Sequence, residues 1–138
     1  MEPFENPERI PIRLLHHDGH SADAIVISGD DPYRLLLEFR GESYYETAED
    51  TFEAFGKIRD RLELIGYRPI CYGACLNYYP SPMSRDMGGG VKLYRFTLGE
   101  RTKANELFFI FDTEPGLAPV TFAEQNAFYV RWLDSIGV

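Results

Sequence analysis

Cysteine is nearly absent from this chain, with Cys71 and Cys75 alone in 138 residues, which excludes a disulfide-stapled scaffold. If residues 70–79 form a strand, the two α-carbons stand about 13 Å apart, beyond disulfide reach, and the spacing predicts buried, reduced thiols. Long apolar runs are lacking as well. The longest, residues 107–111, falls far short of the roughly 20 residues that cross a bilayer, so no membrane partner is expected. The first eight residues, Met-Glu-Pro-Phe-Glu-Asn-Pro-Glu, have neither the basic start nor the apolar centre of a secretion signal, and the expected location is the cytoplasm. Positive charge is scarce: 14 basic against 22 acidic residues leave a net charge of −8. Direct binding to nucleic acid, which depends on basic surface, is therefore not expected.

What the chain does have is a length suited to one domain and many aromatics, 10 Phe and 9 Tyr, enough apolar area for one substantial core. Its charge is lopsided. Residues 1–53 carry 13 acidic and 4 basic side chains, while residues 54–138 carry 9 and 10. The densest stretch holds Glu42, Glu46, Glu49, Asp50 and Glu53 without one Lys or Arg, and Tyr44 and Tyr45 are embedded in it. A focused negative face speeds encounter with a basic protein, and tyrosines within a charged rim supply apolar anchorage. The same charge also serves solubility alone.

Two helices follow from cap, period and stop. One is expected over 47–66, opening at Thr47 with Asp50 three residues on and burying Phe52, Phe55, Ile58, Leu62 and Ile65 before Gly66. The other is expected over 121–137, from Thr121 and Glu124 through Phe122, Tyr129, Trp132, Leu133 and Ile136 to Gly137. Residues 10–16, 24–28, 33–40, 68–78, 91–98 and 107–112 read as strands. The last is apolar without alternation and suits a central strand covered on both faces. The order β-β-β-α-β-β-β-α predicts an α+β fold, a mostly antiparallel sheet of about six strands packed by two helices.

Residues 81–92, Ser-Pro-Met-Ser-Arg-Asp-Met-Gly-Gly-Gly-Val-Lys, set three glycines among functional side chains. Gly88, Gly89 and Gly90 permit a tight reversal or a concavity of amides for an anion. A hairpin loop, a partner-binding loop and a ligand or catalytic loop all fit. In the catalytic version Ser84 is the nucleophile, Asp86 a base or orienting acid, Arg85 and Lys92 clamp an anion and the glycine amides form an oxyanion hole, with Ser81 also flanking the glycines. Neither Gly-Lys-Ser/Thr nor Gly-x-Ser-x-Gly is present, so no defined motif supports it. His16, His17, Asp18 and His20 form one cluster at an expected turn. His17 and His20 have ligand spacing, but no fourth ligand is evident; solvated turn histidines are the expectation, with neither metal nor cofactor.

Residues 71–112, about a third of the chain, include Tyr-Gly-Ala-Cys-Leu-Asn-Tyr-Tyr-Pro-Ser-Pro-Met-Ser-Arg-Asp-Met-Gly-Gly-Gly-Val-Lys-Leu-Tyr-Arg-Phe and then Phe-Ile-Phe-Asp. This segment resembles small bacterial immunity-type proteins encoded beside polymorphic toxins. The resemblance implies a non-catalytic protein that binds one cognate toxin domain and occludes it. Residues 42–53 lie outside the matched segment and are the expected partner surface. The rival expectation is a small enzyme or a nucleotide- or phosphate-binding protein using the 81–92 loop.

Overall fold

A computed structural model describes residues 3–103 and 105–138. The fold is α+β. Strands β1 (Glu8–His16), β2 (Ser21–Ser28), β3 (Arg34–Phe39), β4 (Glu42–Thr47) and β5 (Tyr67–Pro69) form an antiparallel sheet in the order β4-β3-β2-β1-β5. A second sheet, order β6-β7-β8, joins β6 (Tyr78–Tyr79), β7 (Lys92–Arg95) and β8 (Phe108–Phe109). Helices α1 (Thr51–Glu63), α2 (Pro82–Gly88) and α3 (Phe122–Ser135) complete the described secondary structure, with a 3-10 turn at Tyr72–Ala74.

Strand alternation builds the core. The register sets Ile12 opposite Ala24, Val26 opposite Leu37, and Leu37 opposite Tyr44. Side chains on a strand alternate faces, so Ile12, Leu14, Val26, Leu35, Leu37 and Phe39 share the face that the core covers. Helix α1 supplies the other wall with Phe52, Phe55, Ile58 and Leu62, each fully buried, and each such burial contributes about 1.5–3 kcal/mol. Ile65, expected on this stripe, lies beyond the helix end and is 45% exposed.

Several elements differ from the sequence expectation in extent. Helix α1 starts at Asp50, whose carboxylate accepts from the Glu53 amide at 2.7 Å, and not at Thr47, which ends β4. Strand β4 hides in the acidic run because its carboxylates mask the alternation. A two-residue turn at Arg40 and Gly41, with φ of 53° and 78°, is the left-handed pair that returns a hairpin. The single strand expected over 68–78 is interrupted: β5 stops at Pro69, and the 3-10 turn brings the Gly73 amide to the Ile110 carbonyl at 2.8 Å. A Cβ on Gly73 would lie 2.9 Å from that carbonyl oxygen. Residues 107–112 contribute only the short edge strand β8, although Ile110 and Phe111 are buried as expected.

The cysteines flank the 3-10 turn, so the extended spacing does not apply. Both are nevertheless free and buried, and the Cys75 thiol donates to the Cys71 carbonyl at 3.3 Å. Beside them runs a polar bolt that the sequence reading missed. The buried Arg59 guanidinium donates to the carbonyls of Gly73 at 3.0 Å and Val120 at 2.8 Å and to the Gln125 side-chain oxygen at 2.5 Å. The Gln125 amide donates in turn to the carbonyls of Gly73, Cys75 and Tyr78. Helices α1 and α3 are thereby tied to the backbone of the 3-10 turn and the start of β6, and these carbonyls find side-chain donors. No helix among the described residues is long and apolar enough to cross a membrane.

Candidate functional site

The glycine-rich stretch forms a capped helix in place of an open loop. Ser81 caps α2 by accepting from the Ser84 amide at 3.0 Å, and Pro82 occupies the first turn, a position where its missing N–H is harmless. Gly89 leaves the helix at φ 69°, and the amides of Gly89 and Gly90 both turn back to the Ser84 carbonyl. This arrangement closes the helix end. It also removes those amides from any anion cradle, and the Ser84 hydroxyl is bonded to the Lys92 carbonyl at 2.8 Å. Lys92 holds its ammonium over the Phe109 ring at 5.5 Å. The amide nest and the serine nucleophile expected for a ligand or catalytic loop are thus both occupied by the loop's own structure.

The closure instead brings together the two residue sets that the sequence reading kept apart. Arg85 on α2 donates through Nε to Asp50 Oδ2 at 2.6 Å, with Nη2 3.5 Å from Oδ1, and Glu53 lies 3.9 Å away. Asp50 is 4% exposed; it caps α1 and holds Arg85 simultaneously. Burial opposes the Arg85 charge, but the hydrogen bond and the attraction of Asp50 outweigh it, so its pKa is raised. The Thr51 amide donates to the Gly89 carbonyl at 2.8 Å, fixing the end of α2 against the start of α1.

Around this pair opens a cleft of about 560 Å³, rimmed by Tyr33, Glu49, Asp86 and Met87 and backed by Tyr79 and Tyr129. Three acidic residues, Glu49, Asp50 and Asp86, and one guanidinium, that of Arg85, line it. Glu49 and Asp86 are exposed, and among the described residues neither forms an ion pair. The two tyrosine rings stack with centroids 4.1 Å apart at 11°. Burial raises both phenol pKa values, partly offset by Arg85, so the back wall is neutral. Tyr33 is 59% exposed and Met87 84%, leaving apolar area on the rim. A second cleft of about 650 Å³ adjoins the first through the shared Tyr33 and Glu49, and Tyr45, Glu53 and Lys57 also line it.

The acidic run is therefore not one patch. Glu42, Tyr44 and Glu46 sit opposite Phe39, Leu37 and Leu35 and point to the core-covered side of the edge strand, whereas Tyr45 points to the other face. Tyr44 is half-buried against the core with the Arg61 guanidinium 4.8 Å from its ring centroid, and Glu46 pairs with Arg61 at 3.3 Å. Tyr44 is thus not the exposed anchor expected. Glu49, Asp50 and Glu53 reach the two clefts, joined by Arg85, Asp86 and Gly89 from the second set. Tyr33, Tyr79, Met87 and Tyr129 were missed, since no local pattern links position 129 on α3 to position 33.

At the β1–β2 turn the convergent set is His16, Asp18 and His20, with one donor atom from each within 4.8 Å of the others. His16, and not His17, is the partner of His20. His16 is half-buried and packs on Tyr67 with ring centroids 4.6 Å apart, so it is more than a solvated turn residue.

No family model matches this sequence, and neither does any curated protein.

Proposed function

We propose that this chain is a binding protein of the immunity type, which docks a basic segment of a cognate toxin domain into the cleft between α1 and α2 and occludes that domain without chemistry of its own. The observation that carries this reading is the pairing state of the cleft. Among the described residues its one cation, Arg85, is held by Asp50, while Glu49 and Asp86 are exposed and without an ion pair beside Tyr33 and Met87. An incoming Lys or Arg would find two carboxylates at the rim and aromatic faces behind them, the combination that favours a desolvated cation. An incoming phosphate would meet net negative charge and a guanidinium already satisfied. A cytoplasmic location belongs to the same reading, and two free thiols suit a reducing compartment.

The test takes as partner the C-terminal domain encoded by the reading frame adjacent to that of this chain. A stable one-to-one complex is expected, with an association rate that falls as salt rises. Glu49→Lys combined with Asp86→Lys should slow association about tenfold at low salt while the circular dichroism spectrum stays unchanged. Absence of a complex, or association indifferent to the charge reversal, overturns the proposal. Saturable binding of inorganic phosphate or a nucleotide in this cleft, abolished by Arg85→Ala, would do so in favour of the rival reading.

A further inference from the structure

The β1–β2 hairpin carries a chemistry independent of the cleft. Its turn is rigidly specified: the His16 amide donates to the His20 carbonyl at 2.8 Å, and the Gly19 amide donates to the His16 carbonyl at 2.9 Å. Gly19 adopts φ 100°, in the region that glycine enters without strain. The His16 and His20 rings stack with centroids 4.7 Å apart at 25°, both with Nδ1 beside the Asp18 carboxylate, and the Asp18 amide donates to His16 Nδ1 at 3.3 Å. Asp18 Oδ1 lies 3.2 Å from His16 Nδ1 and 2.5 Å from His20 Nδ1.

An ion bonded at about 2.0–2.2 Å to imidazole and carboxylate ligands holds them roughly 3.0–3.5 Å apart. The His16–Asp18 separation already falls in that range. The His20–Asp18 contact is a hydrogen bond that opens by under about 1 Å if an ion replaces the shared proton. His20 has 46% of its side chain exposed and is the member able to turn; His16, at 17%, is the anchored one. On the far side of the ring, His20 Nε2 lies 3.0 Å from the Tyr67 hydroxyl, and Tyr67 is only 3% exposed. When an ion takes the place of the Nδ1 proton, the Tyr67 hydroxyl is the partner that accepts from the Nε2–H and holds the ring. Asp18 and His20 are both exposed, so coordination positions not filled by protein remain reachable by water. A Cβ at Gly66 would lie 2.8 Å from His16 Nε2, so the absence of a side chain there leaves room for the ring.

We propose that His16, Asp18 and His20 form a three-ligand site for a borderline divalent transition ion, with Zn²⁺ as the fitting occupant. Two imidazoles and one carboxylate suit Zn²⁺ and Co²⁺ and do not suit Mg²⁺ or Ca²⁺, which take all-oxygen shells. Tyr67 is a positioning residue for His20.

The chelator-treated chain is titrated with Zn²⁺, Co²⁺ and Mg²⁺ by calorimetry, with the Co²⁺ absorption spectrum and the imidazole nitrogen resonances as separate readouts. Expected are saturable one-to-one binding of Zn²⁺ and Co²⁺, none of Mg²⁺, and perturbation of Nδ1 in both His16 and His20. Asp18→Asn retains an oxygen to accept from the His20 amide, so it keeps the turn while removing the charge. It and His20→Ala should each weaken Zn²⁺ binding by at least about tenfold, and Tyr67→Phe by about tenfold. His17→Ala should leave it unchanged. Failure to saturate at one equivalent, equal affinity in Asp18→Asn, or loss on His17→Ala but not on His20→Ala overturns the assignment.

Discussion

Asp50 has two tasks that can be separated. As the cap of α1 it accepts from the Glu53 amide, and as the partner of Arg85 it neutralises a half-buried guanidinium. Asparagine retains capping ability but not charge. We therefore expect Asp50→Asn to cost about 1–2 kcal/mol, from the lost charge-assisted bond, and Asp50→Ala about 1 kcal/mol more, from the lost cap; urea unfolding of both variants checks the order. Near the opposite end of α1, the buried thiols make a second residue-scale prediction. Burial pushes Cys71 up to about 12 and Cys75 up to about 11, only partly countered by the Arg59 charge. Because the thiolate is the reactive form, a thiol reagent at pH 8 should label neither cysteine in the folded chain and both in urea. A thiol whose pKa is raised by folding contributes stability that is present below the unfolded value and lost as pH rises toward the folded one. The unfolding midpoint should therefore begin to fall above about pH 9.

At the scale of elements, α2 illustrates what a glycine run can conceal. Three glycines among serines read equally well as a hairpin, a nest or a catalytic loop, because each uses positive φ. Gly90 resolves it: it is buried at φ 73°, and a Cβ there would lie 3.0 Å from Phe52 Cβ and 3.4 Å from Asp50 Cγ. The glycine is what lets the end of α2 press on the start of α1. Gly90→Ala should destabilise by about 1–2 kcal/mol from backbone strain alone, and by more from the contact. In contrast, Gly88→Ala, with nothing within 4 Å of its added Cβ, should be neutral or stabilising, since alanine favours helix. Thermal melts of the two variants decide whether the run is structural in this way. Helix α3 was legible because its capping box is local: Thr121 and Glu124 satisfy one another's amides at 3.1 Å. Strand β4 was not, because its partner β3 and not its own composition makes it a strand.

Over the whole molecule, the uneven charge becomes a functional feature only through the fold. Glu46 is neutralised by Arg61 from α1, and Glu42 lies on the edge strand β4, where charge guards against strand-to-strand association. In the binding mode proposed above, the carboxylates left for a partner are Glu49 and Asp86, which line the same cleft. Their joint reversal should slow association more than reversal of Glu42 and Glu46 together, a comparison that stopped-flow mixing at two salt concentrations reads directly.

Composition and periodicity by themselves determined the α+β class, the apolar stripe of α1 and the capped α3, since each depends on neighbours a few residues apart or on side-chain hydrophobicity. The tertiary structure alone decided that Asp50 meets Arg85, that Tyr79 stacks on Tyr129, that Arg59 bolts two helices to irregular backbone, and that His16 replaces His17 beside His20. The first three link positions about 35 to 66 residues apart, and contacts across such spans are set by how sheets and helices pack. The fourth depends on the direction each side chain takes around one turn, which spacing in a linear chain does not record.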